Sequence, residues 1–221
     1  MNTLEEILED IEWRKTQLLI AKTLPFLHTY SFDHKVYLIK YSIPTIYAIW
    51  EGFVQNSFQI YIRELNKLNL TKNDFCINIL THTIDAAFPQ LKEYPNEFIG
   101  KMNFVDKLDK YWVDNFTISS IVNTESNIEI EVLNRLCLRF NLNPFPKNPF
   151  KLQLQDLLRF RNRISHGDIN LIINQENIED FTTRIEGFIS LIEILMELLY
   201  EEMLNAFNVS KSYLKSTTAN S

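Results

Sequence analysis

Arg161, Asn162 and His166 fall within six positions, in the run LLRFRNRISHGD from Leu157 to Asp168. A guanidinium forks onto two phosphate oxygens, and an imidazole that titrates near neutrality can take up a proton and return it. The chemistry this set suits is work on a phosphodiester. On a helix, Asn162 and His166 stand four apart on one face, so the carboxamide is expected to hold one imidazole nitrogen and set its tautomer. Arg161 then lies about 140° round the helix from His166, on the adjacent side of a groove. By chance, an Arg followed five places later by His is expected about 0.14 times in this composition, and about 0.014 times once Asn must follow the Arg.

Other residues surround this set. Arg159 and Arg163 flank Arg161, and Lys151 and Arg139 precede them, so that Arg135 to Arg163 carries seven bases against the single acid Asp156. Glu176 to Glu202 carries eight acids against Arg184. A basic face on an acidic body can hold one polyanion at one place, and the same charges can also be merely solvated or pair with each other. Ser165 adjoins His166. Glu51 lies in an apolar run and needs a partner, either a motif arginine or solvent. His82 with Asp85 lacks a third ligand, and His28 and His34 read as surface residues. With only Cys76 and Cys137, neither a disulfide framework nor a cysteine-rich zinc site is expected. No metal and no cofactor is expected.

The elements that must position these side chains read as helices. Apolar residues recur at three- and four-residue steps from Leu4 to Leu24, where Pro25 ends the pattern. A long helix is expected from an N-cap at Asp33 to Asn66, largely apolar on every side, with Pro44 kinking or dividing it. In its middle Trp50 and Phe53 read as core, and Gly52 as a close helix crossing. Further helices are expected over Asn73 to Leu91 and Asn103 to Asn115, with Tyr94 to Gly100 between them. Another runs from an N-cap at Ser126 or Asn127 to Phe140. Three prolines break the chain between Asn141 and Lys151. Helical spacing resumes from Leu152 to His166, which Gly167 caps, and a last helix spans Ile178 to Phe207. The sequence thus predicts one all-α domain over residues 1–207, with two long helices and several shorter ones. The tail 208–221, rich in Ser, Thr and Lys, is expected to be disordered.

Composition agrees with that architecture. The 221 residues include only four glycines and seven prolines, too few of the turn formers that hairpin-rich folds and glycine phosphate loops require. The net charge of -6 makes a poor non-specific nucleic-acid binder. Five acids precede Trp13 without a basic, then apolar, leader, and the most apolar run, Phe188 to Tyr200, contains Glu193 and Glu197. A cytoplasmic protein with no membrane span is expected.

Arg161-Asn162-x3-His166, late in an all-α chain, resembles the signature of the HEPN superfamily (higher eukaryotes and prokaryotes nucleotide-binding domain). Trp50-Glu51-Gly52-Phe53 and Thr124-Glu125-Ser126-Asn127-Ile128 are similar to segments of prokaryotic whole-chain HEPN-like nucleases near the RiboL-PSP-HEPN type. The likeness covers Leu4 to Phe207. It implies a metal-independent endoribonuclease that works as a homodimer, commonly a toxin of a toxin-antitoxin or phage-defence system restrained by an antitoxin or regulatory protein. It further implies that Arg161 stabilises the phosphorane, that His166 acts as base or acid and that Asn162 orients them. From the residues themselves, Glu51 and Ser165 are candidates for support, and Arg159, Arg163, Lys151 and Arg139 for RNA-backbone contacts, with helix-surface salt bridges the alternative for Arg159 and Arg163. One position departs from the pattern. Some HEPN toxins carry a modifiable Tyr two residues after the His, and here that residue is Asp168. A HEPN-like module that binds nucleotide, RNA or protein without cutting is the alternative.

Overall fold

The computed structural model describes residues 4–87, 98–113 and 116–215. Seven α-helices occupy these residues: α1 (Glu5–Thr23), α2 (Phe32–Lys67), α3 (Ile77–Ala87), α4 (Phe98–Val113), α5 (Ile130–Arg139), α6 (Phe150–Ser165) and α7 (Ile178–Asn208). Among the described residues no strand forms, and the lone β-bridge joins Phe75 to Leu214. The all-α reading holds.

α2 is the axis of the molecule, and α1, α6 and α7 pack round it. Its apolar residues explain this, because Ile43, Ile46, Trp50, Phe53, Phe58 and Tyr61 are all fully buried, pointing to more than one neighbour. Each such side chain contributes about 1.5–3 kcal/mol when taken out of water. Pro44 does not divide the helix, which runs unbroken for 36 residues. The hydroxyls of Ser42 and Thr45 donate to the carbonyls of Ile39 and Tyr41 beside it. Packing on three sides outweighs the one backbone hydrogen bond that proline removes. The helix starts slightly earlier than expected, since Ser31, not Asp33, is the N-cap and its side chain accepts from the His34 N–H.

Gly52 makes room for a side chain of α1. A Cβ there would stand 3.0 Å from an Arg14 guanidinium nitrogen. That guanidinium donates to the Ile49 carbonyl at 2.7 Å and to Asp10 at 2.8 Å.

Three further boundaries differ from the sequence expectation. The fifth helix is capped by Glu129, not by Ser126 or Asn127, because Glu125 and Ser126 both take the left-handed conformation (φ 55°) in a tight turn ahead of it. α4 begins at Phe98, so Phe98 to Gly100 are helical, not connecting. The expected helix over Asn73 to Leu91 is helical from Ile77 to Ala87, and Phe88 to Leu91 fall outside the described residues, as does Asn115.

The tail expected to be disordered from Asn208 onward is ordered as far as Lys215. Asn208 still belongs to α7, and Tyr213 is buried against Phe207. The Cys76 N–H donates to the Tyr213 carbonyl and the Lys215 N–H to the Asp74 carbonyl, both at 2.8 Å. These main-chain bonds and one buried ring offset the entropy that a polar tail would otherwise retain. Residues 216–221 lie outside the described part of the chain. Both thiols, Cys76 and Cys137, are free and buried, and burial pushes each up, Cys137 to about 12.

No helix among the described residues is long and apolar enough to cross a membrane.

Candidate active site

α6 carries the motif, and its inward face explains where the motif points. Leu154, Leu157, Leu158, Phe160 and Ile164 are buried, which leaves Arg161 and Asn162 half-buried beside the core and Ser165 and His166 exposed at the end. The helix ends through paired backbone bonds. The Gly167 N–H donates to the Ile164 carbonyl at 3.0 Å and the Asp168 N–H to the Arg163 carbonyl at 2.9 Å. Gly167 takes φ +68°, the left-handed conformation such a cap requires, as the sequence suggested. His166 is therefore the last residue before the chain turns away, and its ring makes no hydrogen bond among the described residues.

Arg161 is held from two directions. Its guanidinium lies 4.6 Å above the ring of Tyr47 in α2, and one terminal nitrogen donates to Asn162 Oδ1 at 2.7 Å. The expected Asn162-to-His166 bond does not form. A cationic donor one residue away is the stronger partner, and the carboxamide turns to it. Tyr47 is itself fixed, because it is 1% exposed and its hydroxyl accepts from the Ile128 N–H at 2.9 Å. Burial pushes the Tyr47 phenol above its ordinary range; the Ile128 bond opposes this, and the fields of Glu51 and Arg161 add smaller, opposite contributions.

Glu51 stands one turn beyond Tyr47 in α2. It makes no ion pair with Arg161; partly exposed, its carboxylate accepts from the Thr124 hydroxyl at 3.1 Å, a partner the sequence did not suggest. The three segments singled out in the sequence thus meet around α2: Thr124 on Glu51, Ile128 on Tyr47, and Arg161 on Tyr47. Trp50 and Phe53 between them are fully buried, as expected. Tyr47 is the residue that sequence reasoning missed. The available signal was its place four residues before Glu51 on the same helix face.

The remaining basic residues are spent differently. Arg163 pairs with Asp168, Arg139 with Asp85, Lys151 with Glu131 and Arg159 with Asp156. Asp156, the acid of the basic run, also pairs with Arg184, the base of the acidic run. Arg135 pairs with Glu125. Arg161 is the arginine of this stretch with no carboxylate partner among the described residues, so its charge is available where its neighbours' charges are largely answered. Ser165 makes no side-chain hydrogen bond among the described residues.

The other histidine of interest, His82, is buried, its Nε2 donating to the Ser119 carbonyl at 2.9 Å and its Nδ1 left unpaired. Burial lowers its pKa. Among the described residues no three His, Cys, Asp or Glu side chains come together as a metal site would need.

Compared with known proteins, residues 3–204 match the sequence model of the family described as HEPN_MAE_28990-like HEPN. No curated protein and no solved structure matches the chain.

Proposed function

The chain belongs to the HEPN_MAE_28990-like HEPN family, and from that membership and the setting of Arg161 we propose that it is a metal-independent endoribonuclease. The observation that carries the reading is the guanidinium of Arg161, clamped on Tyr47 and Asn162, free of any carboxylate among the described residues and five positions from an exposed histidine. An unneutralised, oriented fork next to a proton carrier suits a phosphodiester in transit to a phosphorane. In the proposed reaction the 2′-OH of RNA attacks its own phosphorus and gives up its proton to a base. The 5′-oxygen leaves with a proton from an acid, and the products are a 2′,3′-cyclic phosphate and a free 5′-OH.

That scheme needs one base and one acid, whereas each chain offers one His166. A two-fold homodimer with the motif helices face to face supplies both in one cleft, which is why we place the active form as a dimer. Arg161 then stabilises the phosphorane, His166 moves the protons, and Asn162 orients Arg161. Arg159, Arg163, Lys151 and Arg139 are assigned to the RNA backbone, where phosphate competes with the carboxylates they now hold. A toxin role in a toxin-antitoxin or phage-defence system, restrained by an antitoxin or regulatory protein, in the cytoplasm, completes the proposal.

A second reading, RNA binding without cleavage, draws on one feature: the His166 ring has no orienting partner among the described residues. One experiment separates the two. Purified protein is incubated with RNA in EDTA and the new ends are typed. Cyclic-phosphate ends from the parent and none from His166→Ala support the endonuclease. Binding without any new ends in the parent overturns it in favour of the binding module.

A further inference from the structure

We infer that Tyr47 is the positioning residue of this site, fixing the plane in which Arg161 offers its N–H groups to phosphate; the inference rests on the endonuclease reading above. A guanidinium has five N–H donors, all at the edge of a flat group. A cation–π contact with a ring spends none of these donors on a carboxylate. The Tyr47 ring, 4.6 Å from the guanidinium carbon, anchors the centre of the group, and the 2.7 Å bond to Asn162 Oδ1 fixes the direction of one terminal nitrogen. Neither contact alone does both. The remaining donors stay in one plane, as bidentate binding of two phosphate oxygens demands.

The support has a foundation of its own. Tyr47 sits in the middle of α2, the most heavily packed element, and is 1% exposed. Its hydroxyl is tied to the Ile128 N–H, just after the left-handed turn at Glu125 and Ser126. Four residues further on, Glu51 ties the other side of that turn through Thr124. The turn and the motif helix do not have to touch for their relative placement to be set, because both are referred to the same face of α2. A ring with this much restraint makes a rigid support for a side chain that is otherwise long and mobile.

The test uses the full chain and three readouts. In Tyr47→Leu, kcat for RNA cleavage is expected to fall about 5- to 30-fold, the worth of a desolvated cation–π contact, with Kd for RNA changed less than about twofold. Tyr47→Phe keeps the ring and is expected to recover most of that loss, even though its Tm falls with the lost Ile128 bond. In protein labelled with 15N-arginine, the Arg161 Nε–H resonance, identified by its loss in Arg161→Lys, is expected at a ring-shifted position in the parent and in Tyr47→Phe. It returns to the free-arginine position in Tyr47→Leu. Equal kcat in parent and Leu variant, or an unshifted Arg161 resonance in the parent, overturns the assignment. If Tyr47→Leu does not fold, cross-relaxation between the Tyr47 ring and the Arg161 side chain in the parent decides, and its absence overturns the assignment. Lack of cleavage by the parent overturns the endonuclease reading instead, and the resonance of Arg161 still decides whether Tyr47 orients it.

Discussion

Asp168 accepts a hydrogen bond from Arg163 Nε at 2.7 Å, closing a side-chain bridge over the turn that contains His166 and Gly167. The two residues are the ones already joined by the terminal backbone bond of α6, so main chain and side chains clamp the same turn. The arginine holds the Asp168 carboxyl below the usual carboxylate range, with the Asn170 N–H assisting. The position two residues after His166 is therefore a carboxylate already engaged. His166 is thus presented by a turn closed on both sides, with its own ring left out of the bonding.

Gly167 is the hinge of that turn, and its φ of +68° is the reason for its type, because a Cβ there would meet nothing within 4 Å. Gly167→Ala is expected to cost about 1 kcal/mol, a drop in Tm of about 2–4 °C, from conformation alone. Gly167→Asn should cost less, since asparagine tolerates the left-handed region. Gly167→Val is expected to displace His166 and reduce RNA cleavage with the helical CD spectrum unchanged. Full activity in that variant would show that the stop of α6 does not set the histidine.

Arg161→Lys should behave almost as Arg161→Ala in cleavage assays. Lysine keeps the charge and loses both the planar fork and the guanidinium that sits over Tyr47. A loss of about 100-fold or more in kcat is expected for both, in line with removal of one preorganised donor to a developing oxyanion. RNA binding by Arg161→Lys should stay near that of the parent. A lysine variant with parental kcat would reduce the role of Arg161 to a point charge.

Gly52→Ala places a methyl 3.0 Å from Arg14, whose guanidinium is confined by Asp10 and the Ile49 carbonyl. Moving it forfeits at least one charged hydrogen bond, and a loss of about 1–2 kcal/mol is expected in urea unfolding. In an Arg14→Leu background the same change should cost clearly less, and the double-mutant cycle measures the coupling. Additive effects would show that the notch at Gly52 is not made for Arg14.

Stability should decline in mild acid through His82. Its pKa is lowered in the folded chain by burial, so the unfolded chain takes up a proton first as the pH falls below about 6.5. Folding stability is therefore whole above that pH and lost progressively down to the folded-state value. His82→Gln, measured by Tm between pH 7 and pH 5, is expected to flatten this decline. An unchanged slope would assign it to other groups.

Which parts of this architecture could be read from the sequence follows from what each signal measures. Apolar spacing located α1, α2, α6 and α7, because those helices bury a continuous stripe against one another. It misjudged Pro44, since a local rule about one hydrogen bond does not count the neighbours on three sides of α2. It missed the docking of Tyr213, since a polar tail with one buried ring has no period. Arg161 and Gly167 were legible because their chemistry is intrinsic to the residue type. Tyr47 was not: an aromatic residue in an apolar helix is normally core, and its contact with a residue 114 positions away is a property of the fold. For the seven bases from Arg135 to Arg163 the sequence left open a polyanion-binding face and one whose charges are solvated or paired. The fold brings carboxylates from α3, α5 and the turns to most of them, and charge counted along a chain does not say which partners those are.

Cys137 is fully buried in α5 and Cys76 nearly so just ahead of α3, with both thiols pushed away from the reactive thiolate form. At Cys137 an alkylating reagent consequently meets nothing to modify until the body opens. The rate at which it consumes that thiol is a clock for that opening, running without any added reporter, and a single cysteine introduced on the surface would carry a dye or spin label with the natural pair left in place.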